Sequence, residues 1–162
     1  MARSSKSAAA AVRMAAAGAV ALALSACGGG TVYDSYKPLG EWNRTDTALF
    51  RVPPVAEAGA YAAEIGLRTN ADYPFKAVTV IVDCTVLPAG TVVSDTLNCR
   101  LADDDGNTLG SGQSNFQHVF PVRRLRLSGG DSLVVAVRHH MMRETLPGIE
   151  DVGLRIRRSG AN

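Results

Sequence analysis

Nowhere does this sequence hold the run of roughly 20 apolar residues that a helix needs to cross a bilayer. Aromatic side chains are few, with one tryptophan, four tyrosines and four phenylalanines, which argues against a broad stacking platform for sugars or bases. Cysteine is limited to three residues, with no Cys-x-x-Cys and no histidine spacing of the kind that builds a zinc site. A Gly-x-Ser-x-Gly elbow, a phosphate-cradling glycine loop and a His-Glu-x-x-His helix are all absent. The expectation is a protein with no catalytic residues, no metal and no cofactor. After residue 26 no stretch keeps a helical period for three turns, which excludes a helical bundle.

What is present begins with Arg3, Lys6 and Arg13, followed by the apolar stretch Met14 to Leu24 and then small residues. That order is the charged region, hydrophobic region and cleavage site of an export signal, covering residues 1–26. Leu24-Ser25-Ala26-Cys27 resembles a bacterial lipobox, in which the cysteine receives a diacylglycerol before cleavage exposes its amino group. Cys27 is therefore the expected lipidation site. Thioether-linked diacylglycerol plus an N-acyl chain such as palmitate exceeds the two-chain minimum for stable anchoring. Residues 27–32, with Gly28-Gly29-Gly30, read as a flexible tether, and 33–162 as one domain. Loss of Arg3, Lys6 and Arg13 leaves 14 of the 17 basic residues against 15 acidic ones. The mature protein is thus nearly neutral, and nothing favours a nucleic-acid partner.

From Trp42 onward, short alternating runs are broken by turn residues. Tyr61, Ala63, Ile65 and Leu67 form one apolar row, Val78, Val80, Val82 and Cys84 a second, and Leu97, Cys99 and Leu101 a third. Leu133, Val135 and Val137 make a fourth, and Val152, Leu154 and Ile156 a last one. Pro53-Pro54, Pro88-Ala89-Gly90, Asp103 to Gly106 and Ser128-Gly129-Gly130 supply the turns. The pattern predicts an all-β, antiparallel β-sandwich of about seven to eight strands, with a small closed β-barrel as the alternative.

Cys84 and Cys99 lie on inward rows of neighbouring strands flanking the turn near Pro88, and export would place them in an oxidising compartment, so they are a candidate disulfide. Closing a loop of about 15 residues would contribute roughly 3 kcal/mol. The alternative is a pair of reduced, buried thiols. His139 and His140 are adjacent, so on a strand they point to opposite faces and do not share one metal ion; His118 stands apart. Arg143 and Asp151 flank the turn Leu146-Pro147-Gly148-Ile149. They are the candidate interaction residues, either pinning that turn as an ion pair or, for Arg143, facing a partner's acidic group.

In order along the chain stand Trp42 with Leu49-Phe50, then Tyr61-Ala62-Ala63-Glu64-Ile65-Gly66-Leu67-Arg68, Tyr73-Pro74-Phe75, Asp95-Thr96 and Leu109-Gly110-Ser111-Gly112. Met142-Arg143, Leu146-Pro147-Gly148-Ile149 and Asp151-Val152-Gly153-Leu154 close the series. Together with the lipobox, this resembles the gliding-motility lipoprotein family GldH of Bacteroidetes. The resemblance implies an outer-membrane lipoprotein required for gliding and carries over no catalytic residue. Two functions follow as expectations. One is a membrane-anchored, non-enzymatic adaptor that docks other envelope or gliding-machinery proteins. The other is a surface glycan- or peptide-binding lipoprotein, which the scarcity of aromatics disfavours.

Overall fold

A computed structural model of the chain describes residues 30–160; Cys27, the expected lipidation site, lies outside them. Among the described residues there is no helix, and ten strands follow one another. They are β1 (Thr31–Pro38), β2 (Trp42–Asn43), β3 (Ala48–Val52), β4 (Gly59–Thr69), β5 (Ala77–Leu87), β6 (Thr91–Arg100), β7 (Phe116–Leu127), β8 (Ser132–His139), β9 (Thr145–Leu146) and β10 (Ile149–Arg158). Two four-stranded sheets, ordered β1-β10-β4-β7 and β3-β8-β5-β6, carry the fold, and β2 pairs with β9 in a two-stranded ribbon. Every pairing is antiparallel. Strands in this order, changing sheet at each main connection except the β5–β6 hairpin, form a jelly roll, the double Greek-key version of a sandwich. The sandwich is therefore correct and the closed barrel is not.

Period-two alternation produced the core. Tyr61, Ala63, Ile65 and Leu67 of β4 and Val152, Leu154 and Ile156 of β10 face Phe50, Val80, Val82, Val135 and Val137 of the opposite sheet, all of them buried. At one margin the sheets are fastened across the gap, where Arg123 of β7 donates two hydrogen bonds to Asp95 of β6, at 2.5 and 2.7 Å. The outer face of the first sheet carries a second ion-pair group, in which Glu64 accepts from Arg155 at 2.8 Å and Arg157 at 2.6 Å. Partial burial opposes ionisation of Glu64, but the two arginines outweigh it and hold the carboxyl below its usual range.

One interruption of the alternation has a clear cause. Gly66 and Gly153 are opposite each other on β4 and β10, on the solvent side, yet both are buried. The ring of Tyr36 lies across them, so close that a Cβ on Gly66 would stand 2.2 Å from the tyrosine oxygen and one on Gly153 2.5 Å from a ring carbon. Arg68 covers the other side of that ring at 4.0 Å, and Gln117 donates to the hydroxyl at 3.0 Å. The aromatic replaces the side chains that the two glycines lack.

The strands give the domain two distinct ends. β1 enters with Thr31 beside Arg157 and leaves at Pro38 beside Asp151. The register then places segments 53–58, 88–90 and 128–131, together with Gly30 and the end of β10, at the entry end. Segments 39–47, 70–76, 101–115 and 140–148 lie at the far end. Ten residue steps of β4 separate the two by about 33 Å.

The expected disulfide does not form. Cys84 pairs in register with Val93 and Cys99 with Val78, so the two cysteines stand six rungs apart, about 20 Å along the hairpin, far beyond the Cα separation a disulfide spans. Both are free and buried. Burial pushes the Cys84 thiol up to about 11 and the Cys99 thiol up to about 12, which leaves them as small, unreactive core side chains.

Candidate docking site

The far end is built on Trp42, which the β2–β9 ribbon sets beneath the loops with its side chain fully buried. Its indole N–H donates to the Asp46 carbonyl at 3.1 Å. The ring of His139 meets it edge-on at 5.3 Å between centroids. Burial holds His139 below the ordinary histidine range, so at neutral pH the imidazole is uncharged and its Nδ1 accepts from the Met141 N–H at 3.3 Å. His140 turns outward. His118, likewise lowered by burial, sits 3.3 Å from the Thr69 hydroxyl and stacks on Phe120. Among the described residues, no three of His, Cys, Asp and Glu converge as metal ligands.

Segment 140–148 is strapped down at both sides of its apex. The backbone N–H of Arg44 donates to the Glu144 carbonyl at 2.7 Å, its guanidinium donates to the Met141 carbonyl, and Met141 packs against the core. On the other side Gly148, at φ +80°, lies against the backbone of Tyr73. Its carbonyl accepts from Asn70 N–H at 2.9 Å, and the Asn70 side chain reaches Glu150 at 3.1 Å. What protrudes is Met142, 97 % exposed, with exposed Arg143 beside it.

Arg143 does not pair with Asp151. On the outer face Asp151 of β10 is directly opposite Arg68 of β4, and those two form the ion pair, at 3.6 Å. Arg143 sits at the loop apex, and among the described residues no carboxylate lies within ion-pair distance of it. Of the two candidate interaction residues, one is thus a surface cation and the other a structural anion. Phe75 and Leu109, 39 % and 56 % exposed, add apolar surface to the same end. Its charge is acidic: Glu41, Asp46, Asp72, Asp103, Asp104, Asp105, Glu144 and Glu150 stand against Arg44, Lys76, Arg100 and Arg143.

Tyr36 and its two glycines were not anticipated as a unit. The available signal was a glycine at an outward position of two separate alternating runs, which marks close approach by another group. No helix among the described residues is long and apolar enough to cross a membrane.

These features define an antiparallel jelly-roll domain that sets out an exposed loop apex at one end. The GldH lipoprotein family matches residues 31–156, and the chain belongs to that family. It is 30 % identical over 144 residues to the gliding motility lipoprotein GldH of Flavobacterium johnsoniae, covering 84 % of this chain and 90 % of the relative. It is 26 % identical over 144 residues to a gliding motility lipoprotein GldH homolog of Christiangramia forsetii, covering 83 % and 88 %. Among solved structures, the mosquito-larvicidal Cry4Aa toxin of Bacillus thuringiensis aligns with a TM-score of 0.42 at 8 % identity, over 75 % of this chain and 20 % of the toxin; nothing about function follows from it.

Proposed function

We propose that this protein is a non-enzymatic component of the gliding-motility machinery, anchored to the outer membrane through lipid on Cys27 and docking another envelope protein with its far end. The observation that carries the docking role is Met142. A methionine 97 % exposed at the apex of a loop otherwise tied down by backbone hydrogen bonds is a preformed, adaptable apolar contact. Arg143 beside it is free to meet a partner carboxylate. The family membership and the printed names of both relatives support the gliding context.

Site-specific photo-crosslinking in gliding cells tests the reading. A crosslinker at Met142 or Phe75 should yield discrete protein adducts, and one at Ser128 on the entry end should not. Arg143→Glu should abolish surface spreading with the protein at normal abundance. Equal adducts from both ends, or normal spreading of Arg143→Glu and Met142→Glu, would sink it.

A ligand-binding alternative draws on a cleft of about 270 Å³ bordered by Tyr73, Phe75 and Phe116. Phe75→Ala would then abolish glycan or peptide binding and leave the adducts at Met142 unchanged.

A further inference from the structure

Most arginines of the sandwich body are neutralised. Arg68, Arg123, Arg138, Arg155 and Arg157 each face a carboxylate. Arg124 and Arg126 do not. They project from β7 opposite Ala62 and Ala60, both are exposed, and among the described residues no carboxylate lies within ion-pair distance of either. The two arginines form one wall of a cleft of about 660 Å³ at the entry end; Arg158 on the other side is paired to Glu57. Its floor includes Ala58, Gly59 and Ala60, whose small side chains leave the space between the guanidinium groups open.

Gly30 lines the same cleft. Cys27 is three residues upstream, and three extended residues reach at most about 10 Å. A lipid on Cys27 would therefore hold the cleft within one headgroup layer of the bilayer. The far end, 33 Å or so away, carries the excess of carboxylates described above. The entry end sets Arg124, Arg126 and Arg158 against Glu57 and Asp131, so the two ends differ in charge and the small basic excess is on the side of the tether.

We propose that this cleft seats the phosphate-bearing headgroup of an anionic membrane lipid, so that the domain rests on the bilayer by its basic end with the docking loops raised. The inference builds on lipidation of Cys27, since the tether is what brings the headgroups near. Cationic side chains at an anionic surface each raise membrane occupancy by roughly 5-fold, and salt screens the effect. Arg124 and Arg126 meet that condition without having to break an ion pair.

The test uses the mature chain with Cys27→Ser, which cannot be lipidated, mixed with vesicles of phosphatidylcholine alone or with a third of phosphatidylglycerol, and measured by co-sedimentation. The chain should partition into the anionic vesicles only, and less so as salt rises. Arg124→Gln with Arg126→Gln should lower that partition by roughly 25-fold, two factors of about 5, with an unchanged melting temperature. Arg44→Gln with Arg143→Gln removes the same charge from the far end and should leave the partition within about 2-fold. Equal binding to both vesicle types, or an equal loss from the two double variants, would overturn the proposal. Fatty-acid labelling of the wild type and Cys27→Ala decides the tether separately, because an unlabelled wild type would remove the anchor without altering the vesicle result.

Discussion

Substitution of Gly148 separates two costs that usually arrive together. At φ +80° an L side chain is strained by about 1–2 kcal/mol whatever surrounds it. At this position a Cβ would also stand 2.3 Å from the Tyr73 nitrogen, 2.7 Å from its Cα and 2.8 Å from the Asp72 carbonyl carbon. Those atoms are backbone, so segment 70–76 must shift. The Asn70 to Gly148 hydrogen bond at 2.9 Å goes with it, at about 1 kcal/mol. Gly148→Ala should therefore cost about 3 kcal/mol or more, and lower the melting temperature by about 10 °C for a domain of this size. Gly148→Val adds a β-branch to the same clash and costs more. Gly40 is the control, since it has φ +65° and nothing within 4 Å of its would-be Cβ. Gly40→Ala carries the strain alone, about 1 kcal/mol, or roughly 4 °C. Thermal unfolding followed by circular dichroism on the unlipidated mature chain measures both. If the two variants melt within about 2 °C of each other, the clash with segment 70–76 is not what fixes this loop.

Cys84 and Cys99 should react with a thiol reagent only after denaturation, and a reductant should leave the melting temperature unchanged; a mass two hydrogens short in the exported protein would contradict the register. His118 and His139 are both lowered by burial. Their unfolded forms therefore bind protons more readily, so the stability is intact above about pH 6.5 and is lost as pH falls through the folded values. A melting temperature that stays flat between about pH 7 and pH 5 would refute that assignment. Tyr36→Ala should cost about 2–3 kcal/mol, a large loss for a strand at the edge of a sheet, because it uncovers two glycines and the Arg68 face; a loss below about 1 kcal/mol would mean that the ring only rests on them. Arg143→Ala should leave the melting temperature unchanged within about 2 °C, since it forms no ion pair among the described residues.

The inner rows were legible because one-sided burial writes itself into alternation, as in Tyr61 to Leu67 and Val78 to Cys84, where every second residue is buried. β1 and β7 gave no such row. Both are edge strands, and β1 has no fully buried residue to mark an inner face. β7 also carries Pro121, tolerated because it sits at the bulge where the pairing with β4 shifts between Ala63 and Glu64. The glycine run extends the expected tether to residue 32, but Thr31 already pairs with Arg157, a contact made by a partner more than a hundred residues away. The cysteine pairing failed for a related reason. Sharing an inward face fixes which side a residue points to, whereas a disulfide needs the same rung, and the rung is set by the tight turn at 88–90, where Val86 pairs with Thr91. At the docking end, the fold-determining parts Pro147, Gly148 and Ile149 were readable from turn chemistry. The partner of Asp151 was not, because Arg68 lies on another strand.

Topology also accounts for where function can reside. Eight strands cross the sandwich in alternating directions, so connections alternate between ends and the chain returns to the end at which it entered. If a lipid holds that end, every connection there is confined between the sheets and the bilayer. Those connections are short, as at 88–90 and 128–131. The far connections, such as 101–115 and 140–148, are longer and face away from the tether. Length is tolerated there because loop-closure entropy rises slowly with residue number, and irregular backbone stays in water, where its polar groups are satisfied. Exposed Met142, Phe75 and Leu109 lie on that end, while exposed Val32, Leu87 and Val92 lie toward the other, with Arg124 and Arg126. On the proposed reading, membrane contact and partner contact would be kept apart by the length of a strand, about 33 Å.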